Sequence, residues 1–389
     1  MTLDELSKKF NKEFGDNNFS IISDCVPEYE RMPTNALGLD YILAGGIPLG
    51  RIIEFSGQMH SGKTTAACVV MAAYQRKFPE KKCVYVDVEH TLDLKFQSKM
   101  TGLDLSNMYY INPIPGQSGE EILDIITELA QADDCGLIVL DSIPSLIPHV
   151  VLENSFTKDS GMRATTAKTL YPFFNKIQSI ISKTNNVFIV INQVRDAGKT
   201  FTGVQMYKEP GGGAPQFYCS MILRFGTRRY TLKDDMDACK MNNGEGADGF
   251  RLQFKVLKNK CGASNRGGGF ITFRYATGLD WMQDLLDIAL HFNFIKRLNN
   301  ITYALINLDT GEIYKDKEGK DLTGKKAYLI SYIENNIDFQ NEYLAMLNRN
   351  ICDSQKSYGS LLDERAEKEI DDQENSVNNS NIQEENKTE

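Results

Sequence analysis

"FSGQMHSGKTT", residues Phe55–Thr65, holds a complete G-x-x-x-x-G-K-[ST] spacing from Gly57 to Thr64. The residues before it, "RIIEFS", read as a strand, and those after it, from about Lys63 to Gln75, as a helix. A glycine-rich turn between a strand and a helix aims backbone N–H groups at phosphate oxygens, at the positive end of the helix. Gly57 and Gly62 permit the turn, and the backbone of Gln58, Met59, His60 and Ser61 forms the cradle. Lys63 supplies a point charge to the β and γ phosphates. Thr64 offers a hydroxyl to Mg²⁺, and Thr65 continues the first helical turn. The expected ligand is a nucleoside triphosphate with Mg²⁺.

Working outward, "KCVYVDVEH", "CGLIVLDS" and "NVFIVINQ" are near-continuous apolar runs, each preceded by a plausible helix. Strands that alternate with helices and show no polar face indicate a parallel sheet covered on both sides, hence an α/β core. Asp141 ends the run Leu137–Leu140, which is where a carboxylate completes the Mg²⁺ site beside Thr64. Hydrolysis also needs a group that orients the attacking water. Glu89 and Asp87 both end the neighbouring strand, and position favours Glu89 without excluding Asp87. Gln193 closes its own strand and leads directly into "RDAGKTFTGVQMYKEPGGGAPQ", residues 195 to 216, so its amide can report the γ-phosphate to that segment. The segment shows no regular periodicity and reads as a long functional loop. A second polar, loop-like stretch is "ENSFTKDSGMR", 153 to 163.

The chain of 389 residues carries a net charge of −9. Residues 363 to 389 hold ten acidic and three basic residues, a net of −7, so only −2 belongs to the rest. The overall acidity therefore does not exclude a nucleic-acid partner. Eight cysteines without a C-x-x-C pair read as reduced, mostly buried thiols of a cytoplasmic protein. His60, His90, His149 and His291 show no metal spacing. No apolar run is long enough to cross a membrane, and no signal peptide is expected.

"TLDELSKKFNKEF" places Leu3, Leu6, Phe10 and Phe14 on one helical stripe, with capping-box spacing at Thr2 and Glu5. Such a stripe covers either its own core or a neighbouring subunit. A smaller unit begins at "LDWMQDLLDIALHFNFIKR" and should contain a hairpin in "ITYALINLDTGEIYKD" and two more helices. Its basic residues, among them Lys296, Arg297, Lys315 and Lys320, are a candidate duplex-DNA surface. The expected organisation is an N-terminal helix and linker (1–32), the ATPase core (33–277), a small α+β unit (278–351) and an acidic tail read as disordered (352–389).

The motifs "GRIIEFSGQMHSGKTT", "VDVEHTLD", "LIVLDSIPSLIP", "FIVINQVR", "GGGAPQFYCSMILR" and "KVLKNK" occur in the order and spacing of one family. From about Pro33 to Tyr275 the chain resembles the RecA recombinases, particularly the bacterial type. The resemblance implies an ATPase that polymerises as a helical filament on single-stranded DNA and catalyses homologous pairing and strand exchange with double-stranded DNA. It implies that Glu89 activates water and that Gln193 senses the nucleotide. Asp93 and Phe96 would contact adenine, with phenylalanine where the family usually has tyrosine. Lys258 and Lys260 would reach the nucleotide of the adjacent subunit. Residues 153 to 163 would form the first DNA-binding loop and 195 to about 212 the second. The DNA contacts implied are Met162, Arg163, Lys168, Arg195, Lys199, Gly211 and Gly212, with Phe201 or Tyr207 as the stacking aromatic. Gln216 stands where the family usually has a lysine, and Ala167 where it has an arginine. A single-strand-binding protein, loading mediators and a LexA-like repressor are candidate partners by the same resemblance. The alternatives are a ring helicase on the same core and a DNA-binding filament protein with vestigial ATP use.

Overall fold

The strand that delivers the phosphate loop, Arg51–Gly57, lies in the middle of an 11-stranded sheet in the computed structural model. Described are residues 2–14, 30–153, 162–199, 205–226, 229–231, 238–239, 247–261, 267–291, 293–307 and 309–346. Expectations about the tail, about the linker residues 15–29, about residues 154–161 of the stretch 153 to 163 and about Phe201 fall outside these residues.

Six strands run parallel in the order Met221–Phe225, Arg51–Gly57, Val187–Gln193, Cys135–Asp141, Lys82–Asp87, Met108–Ile111. Beyond Met221–Phe225 the long strand Gly249–Asn259 turns antiparallel and carries Gly268–Arg274 and Arg229–Thr231. Each central strand is buried on both faces, which accounts for its unbroken apolar sequence. On one face Ile53, Phe55, Val139 and Ile189 pack under the helix Lys63–Lys77, itself buried nearly all round. On the other, Ile52, Ile138 and Val190 meet Ile122 and Ile126 of Gly119–Leu129 and Phe174 and Ile177 of Met162–Thr184.

The register sets the site. Gly57 pairs with Gln193, and Asp87 with Asp141, so the carboxyl ends of four adjacent strands stop at one edge. Ligands of open parallel sheets bind at that edge.

The N-terminal helix, Leu3–Phe14, starts with the expected capping box: Thr2 N donates to Glu5 Oε2 at 2.8 Å and Glu5 N to Thr2 Oγ1 at 3.3 Å. Its stripe is not sealed in this chain's core, since Leu3 is 72% exposed and Leu6 and Phe10 are half-buried.

The C-terminal unit has its own core, in which Leu285, Phe294, Leu305, Leu329 and Tyr343 are fully buried. It follows Gly278–Leu279, a short strand that still pairs with Gly268–Arg274. The expected hairpin over 301 to 316 forms in short form: Asn307 N donates to Glu312 O and Tyr314 N to Leu305 O, both at 2.9 Å, around the Ile306–Ile313 bridge. Its first strand, Tyr303–Leu305, also pairs with Ile295–Arg297 on one side and Thr323–Gly324 on the other. The alternating sequence thus signals strand and turn correctly, while the longer pairings come from outside the segment. The helices Lys326–Asn335 and 337–346 complete the unit.

Candidate functional site

The phosphate loop has the backbone that its sequence demands. Gly62 has φ 85°, and a Cβ there would lie 2.3 Å from a Leu252 methyl. A Cβ on Gly57 would meet the Phe225 carbonyl at 2.6 Å. Both positions thus exclude a side chain. His60 also takes a positive φ and points its ring to solvent, as do the side chains of Gln58 and Met59. Ser61 and Thr65 are buried.

Lys63 opens the helix, is 6% exposed, and donates from Nζ to the Gln58 carbonyl at 2.8 Å. Burial lowers its pKa, while Asp141 and Glu89 pull it back up. Thr64 Oγ1 donates to Asp141 Oδ2 at 2.9 Å. Tyr85, in the next strand, donates to the same oxygen at 2.5 Å. Burial pushes the Asp141 carboxyl up to about 6, the Tyr85 and Thr64 hydrogen bonds oppose this, and nearby Glu89 adds to it. A hydroxyl and a carboxylate oxygen meeting at a helix N-terminus are hard donors of the kind Mg²⁺ takes.

Glu89 and Gln193 are brought together. Glu89 Oε1 accepts from Gln193 Nε2 at 2.5 Å and from Ser142 Oγ at 2.5 Å. Asp87, the competing carboxylate, is committed elsewhere: it is 1% exposed, and its Oδ2 accepts from Leu92 N at 3.0 Å and Tyr110 OH at 2.8 Å. It anchors a turn and an edge tyrosine. Tyr85 and Ser142 were not singled out from sequence. Ser142 directly follows Asp141, which is a usable signal; Tyr85 sits inside an apolar run and reads as core.

Asp93 is the N-cap of Leu94–Thr101, accepting from Phe96 N at 3.0 Å. The Phe96 ring is half-buried against the core.

Lys258 and Lys260 are not part of this edge. Lys258 pairs in register with Ile222, which pairs with Glu54, three residues before Gly57. Lys260 N donates to Ser220 O, and Ser220 N to Ile52 O, further still from the loop. Lys258 Nζ donates to the carbonyls of Gln216 at 2.5 Å and Phe217 at 3.2 Å. Burial lowers its pKa and the adjacent Lys260 lowers it further. Beside them the Phe217 ring is 67% exposed. Lys260 also lines a cavity of about 360 Å³ with Arg51, Gln178, Tyr218 and Cys261.

The stretch 195 to 216 is more ordered than its sequence suggested. Arg195–Lys199 and Gln205–Lys208 form a two-stranded ribbon, with Asp196 opposite Tyr207, and Ala214–Tyr218 is a short helix. The ribbon is polar and Gly198 interrupts it, so no apolar alternation announced it. Arg195 is exposed. The Tyr207 and Lys199 side chains lie outside the described atoms, as do those of Met162 and Arg163 at the start of Met162–Thr184. Lys168 on that helix is exposed. Gly211 and Gly212, φ 88° and 68°, seat the base of the ribbon on the same helix: a Cβ on Gly212 would be 3.0 Å from that of Ala167, and one on Gly211 3.0 Å from Leu170. The small residue at 167 leaves room for that approach.

The comparisons agree with this geometry. The RecA N-terminal domain family matches residues 1–280. The chain is 31% identical over 334 residues to Protein RecA of Sulfurovum sp. (strain NBC37-1), covering 83% of this chain and 87% of that protein. It is 30% identical over 341 residues to Protein RecA of Phytoplasma mali (strain AT), covering 87% and 91%. The chain belongs to the RecA family of recombinases.

Proposed function

We propose that this RecA-family protein is a Mg²⁺-dependent ATPase that forms a helical filament on single-stranded DNA and pairs it with a homologous duplex. The observation that carries the reading is the Gln193–Glu89–Ser142 cluster at the carboxyl edge of the sheet. It joins a water-orienting carboxylate to an amide whose strand continues straight into a surface ribbon.

The residues divide the work. Backbone amides of 57 to 62 and the Lys63 ammonium hold the β and γ phosphates. Glu89, steered by two hydrogen bonds on one oxygen, keeps the other free to accept a proton from the attacking water. Gln193 can exchange its bond to Glu89 for one to a γ-phosphate oxygen, and that choice moves the root of the ribbon. Thr64 and Asp141 would hold Mg²⁺, which screens the phosphate charge when bound. Among the described residues no cluster of three or more His, Cys, Asp or Glu could hold the ion alone, so phosphate and water would complete its shell. Asp93 and Phe96 would flank the base.

Lys258 and Lys260 are too far along the sheet to serve the same subunit's nucleotide and would serve that of a neighbour. The incompletely buried stripe of Leu3–Phe14 would dock on a neighbouring copy. Arg195, Lys199, Lys168 and Arg163, the amides at Gly211 and Gly212, and an aromatic from Phe201 or Tyr207 would hold DNA phosphates and bases without reading sequence. The basic C-terminal unit would meet the duplex. The setting is the cytoplasm, and no helix among the described residues is long and apolar enough to cross a membrane.

The test is ATP hydrolysis with and without single-stranded DNA, coupled to a strand-exchange readout on homologous and heterologous duplexes. DNA-stimulated hydrolysis with exchange confined to homologous duplex is expected. Fork unwinding without exchange would convert the reading to a helicase, and exchange-competent DNA binding without hydrolysis to a filament protein with vestigial ATP use.

A further inference from the structure

The ribbon returns to the core at Glu209, and this carboxylate is not a surface group: its side chain is 7% exposed. One of its oxygens forms an ion pair with Arg224 Nη2, and the other accepts from Gln216 Nε2 at 3.0 Å. Arg224 belongs to the strand beside the phosphate-loop strand and pairs in register with Ser56, the residue before Gly57. Its Nε donates to Ser56 Oγ at 2.8 Å. Gln216 belongs to the short helix Ala214–Tyr218, whose carbonyls at 216 and 217 receive Lys258. One residue past Glu209, the Pro210 carbonyl accepts from Asn192 Nδ2 at 3.1 Å, and the same amide donates to Glu54 Oε1 at 2.8 Å. Asn192 is the neighbour of Gln193.

Three segments with different tasks therefore end on one carboxylate: the base of the ribbon, the strand flanking the phosphate loop, and the helix beneath Lys258. A largely buried ion pair is a poor way to add stability, because desolvation cancels most of the attraction and apolar residues would serve as well. It does fix relative position, since each partner has one low-energy place to go. Gln216 fits this arrangement, because its neutral amide reaches Glu209 without competing with Arg224 for the charge.

The geometry points to Glu209 and Arg224 as positioning residues that couple the ribbon to the phosphate loop and to the Lys258 face, so that DNA held on the ribbon sets the rate at which nucleotide is hydrolysed. This rests on reading the ribbon as a DNA-binding element. The coupling requires no contact between either residue and nucleotide or DNA.

The readout is the ratio of ATP hydrolysis with saturating single-stranded DNA to hydrolysis without it. A loss of folded protein scales both rates alike and leaves the ratio unchanged. Arg224→Gln and Glu209→Gln should each lower the ratio about fivefold to tenfold, the range of ordinary coupling between sites. The double variant should fall no further than either single one, because the pair acts as a unit. Arg224→Lys, which keeps the charge, should recover most of the ratio. In the parent protein, adding a non-hydrolysable ATP analogue should change amide hydrogen exchange over 205 to 210. Ratios within about twofold of the parent in both glutamine variants, losses that multiply in the double variant, or unchanged exchange would each overturn the inference and leave the DNA-binding reading standing. A parent protein with no DNA stimulation would overturn that reading and this inference together.

Discussion

The carboxyl edge of the central strands and the lysine face on Gly249–Asn259 are both rich in polar groups, yet they are built in opposite ways. At the carboxyl edge every proposed catalytic group already has a partner within the subunit: Thr64 and Tyr85 on Asp141, Ser142 and Gln193 on Glu89, Lys63 on the loop backbone. At the lysine face burial, and after it the nearby Lys260, depress the pKa of Lys258, and neither lysine forms an ion pair among the described residues. Like charges kept together are costly, and an incoming polyanion relieves the cost. The groups of the first region are paired within one chain, whereas the two lysines of the second have no ion-pair partner among the described residues.

The sharpest way to break the comparison is to remove the charge from the paired region. Lys63→Ala should cut DNA-dependent hydrolysis about a thousandfold, the upper range for loss of one preorganised charge. Steady-state turnover measures it, and near-parental turnover would mean that the phosphate loop does not hold the reacting phosphate. Glu89→Gln should still bind ATP, at an affinity close to the parent's, but hydrolyse it about a hundredfold more slowly. Filaments of this variant should persist on DNA after the parent's have dissociated. Parental turnover would reopen the case for Asp87 despite its engagement with Leu92 and Tyr110.

The lysine face should respond more mildly and in a different manner. Lys258→Ala should lower filament turnover about tenfold while nucleotide binding to isolated subunits stays unchanged. Mixing Lys258→Ala with Glu89→Gln subunits should restore activity, because half of the mixed interfaces then join an intact loop to an intact lysine. A mixture that is no more active than its two components would place Lys258 in service of its own subunit.

The two regions also differed in how far the sequence revealed them. Buried parallel strands give continuous apolar runs, and a phosphate loop tolerates few residues at its glycines, so Gly57 to Thr64, Asp141 and the parallel sheet around them could be read directly. Glu89 could not be separated from Asp87 by position alone. The hydrogen bonds of Asp87 to Leu92 and Tyr110 make the distinction, and these depend on how a turn and an edge strand fold back. Tyr85 was hidden because a tyrosine in an apolar run looks like core; its hydroxyl meets Asp141 only through the register between two strands. The ribbon at 195 to 208 and the outside partners of Tyr303–Leu305 escape the sequence for related reasons. In the first, pairing is polar and local, and in the second Ile295–Arg297 and Thr323–Gly324 lie outside the alternating segment, so hydrophobic period carries no information about either. The Glu209–Arg224 pair belongs to this illegible class, since nothing in the spacing of 209 and 224 announces that they meet.

Glu54 lies between the two regions and gives the smallest predicted effect. It is fully buried on the phosphate-loop strand, level with Lys258 through Ile222. Burial raises its carboxyl to about 7, and Glu209 adds to the rise, while the Asn192 hydrogen bond and the charges of Arg224 and Lys258 oppose it. Its Oε2 has no hydrogen-bond partner. An unfolded chain ionises this group near its ordinary value of 4.5. Below that pH both states hold the proton and the group contributes no pH dependence. Between about 4.5 and 7 the folded state holds more protons than the unfolded one, so stability falls as pH rises. Over the single unit from pH 6 to 7 the loss is about 1 kcal/mol. Asp40 and Asp141, both raised to about 6, slope the same way, so the parent's curve alone does not isolate Glu54. The difference between parent and Glu54→Gln does, because glutamine keeps an acceptor for Asn192 but cannot titrate. Denaturant unfolding of nucleotide-free protein at pH 6 and 7 should show the variant losing about 1 kcal/mol less than the parent. Equal losses would mean that Glu54 is already ionised at pH 6, its charge balanced by Arg224 and Lys258. The lysine face would then have a counter-charge within its own chain, and the contrast between the two regions would weaken accordingly.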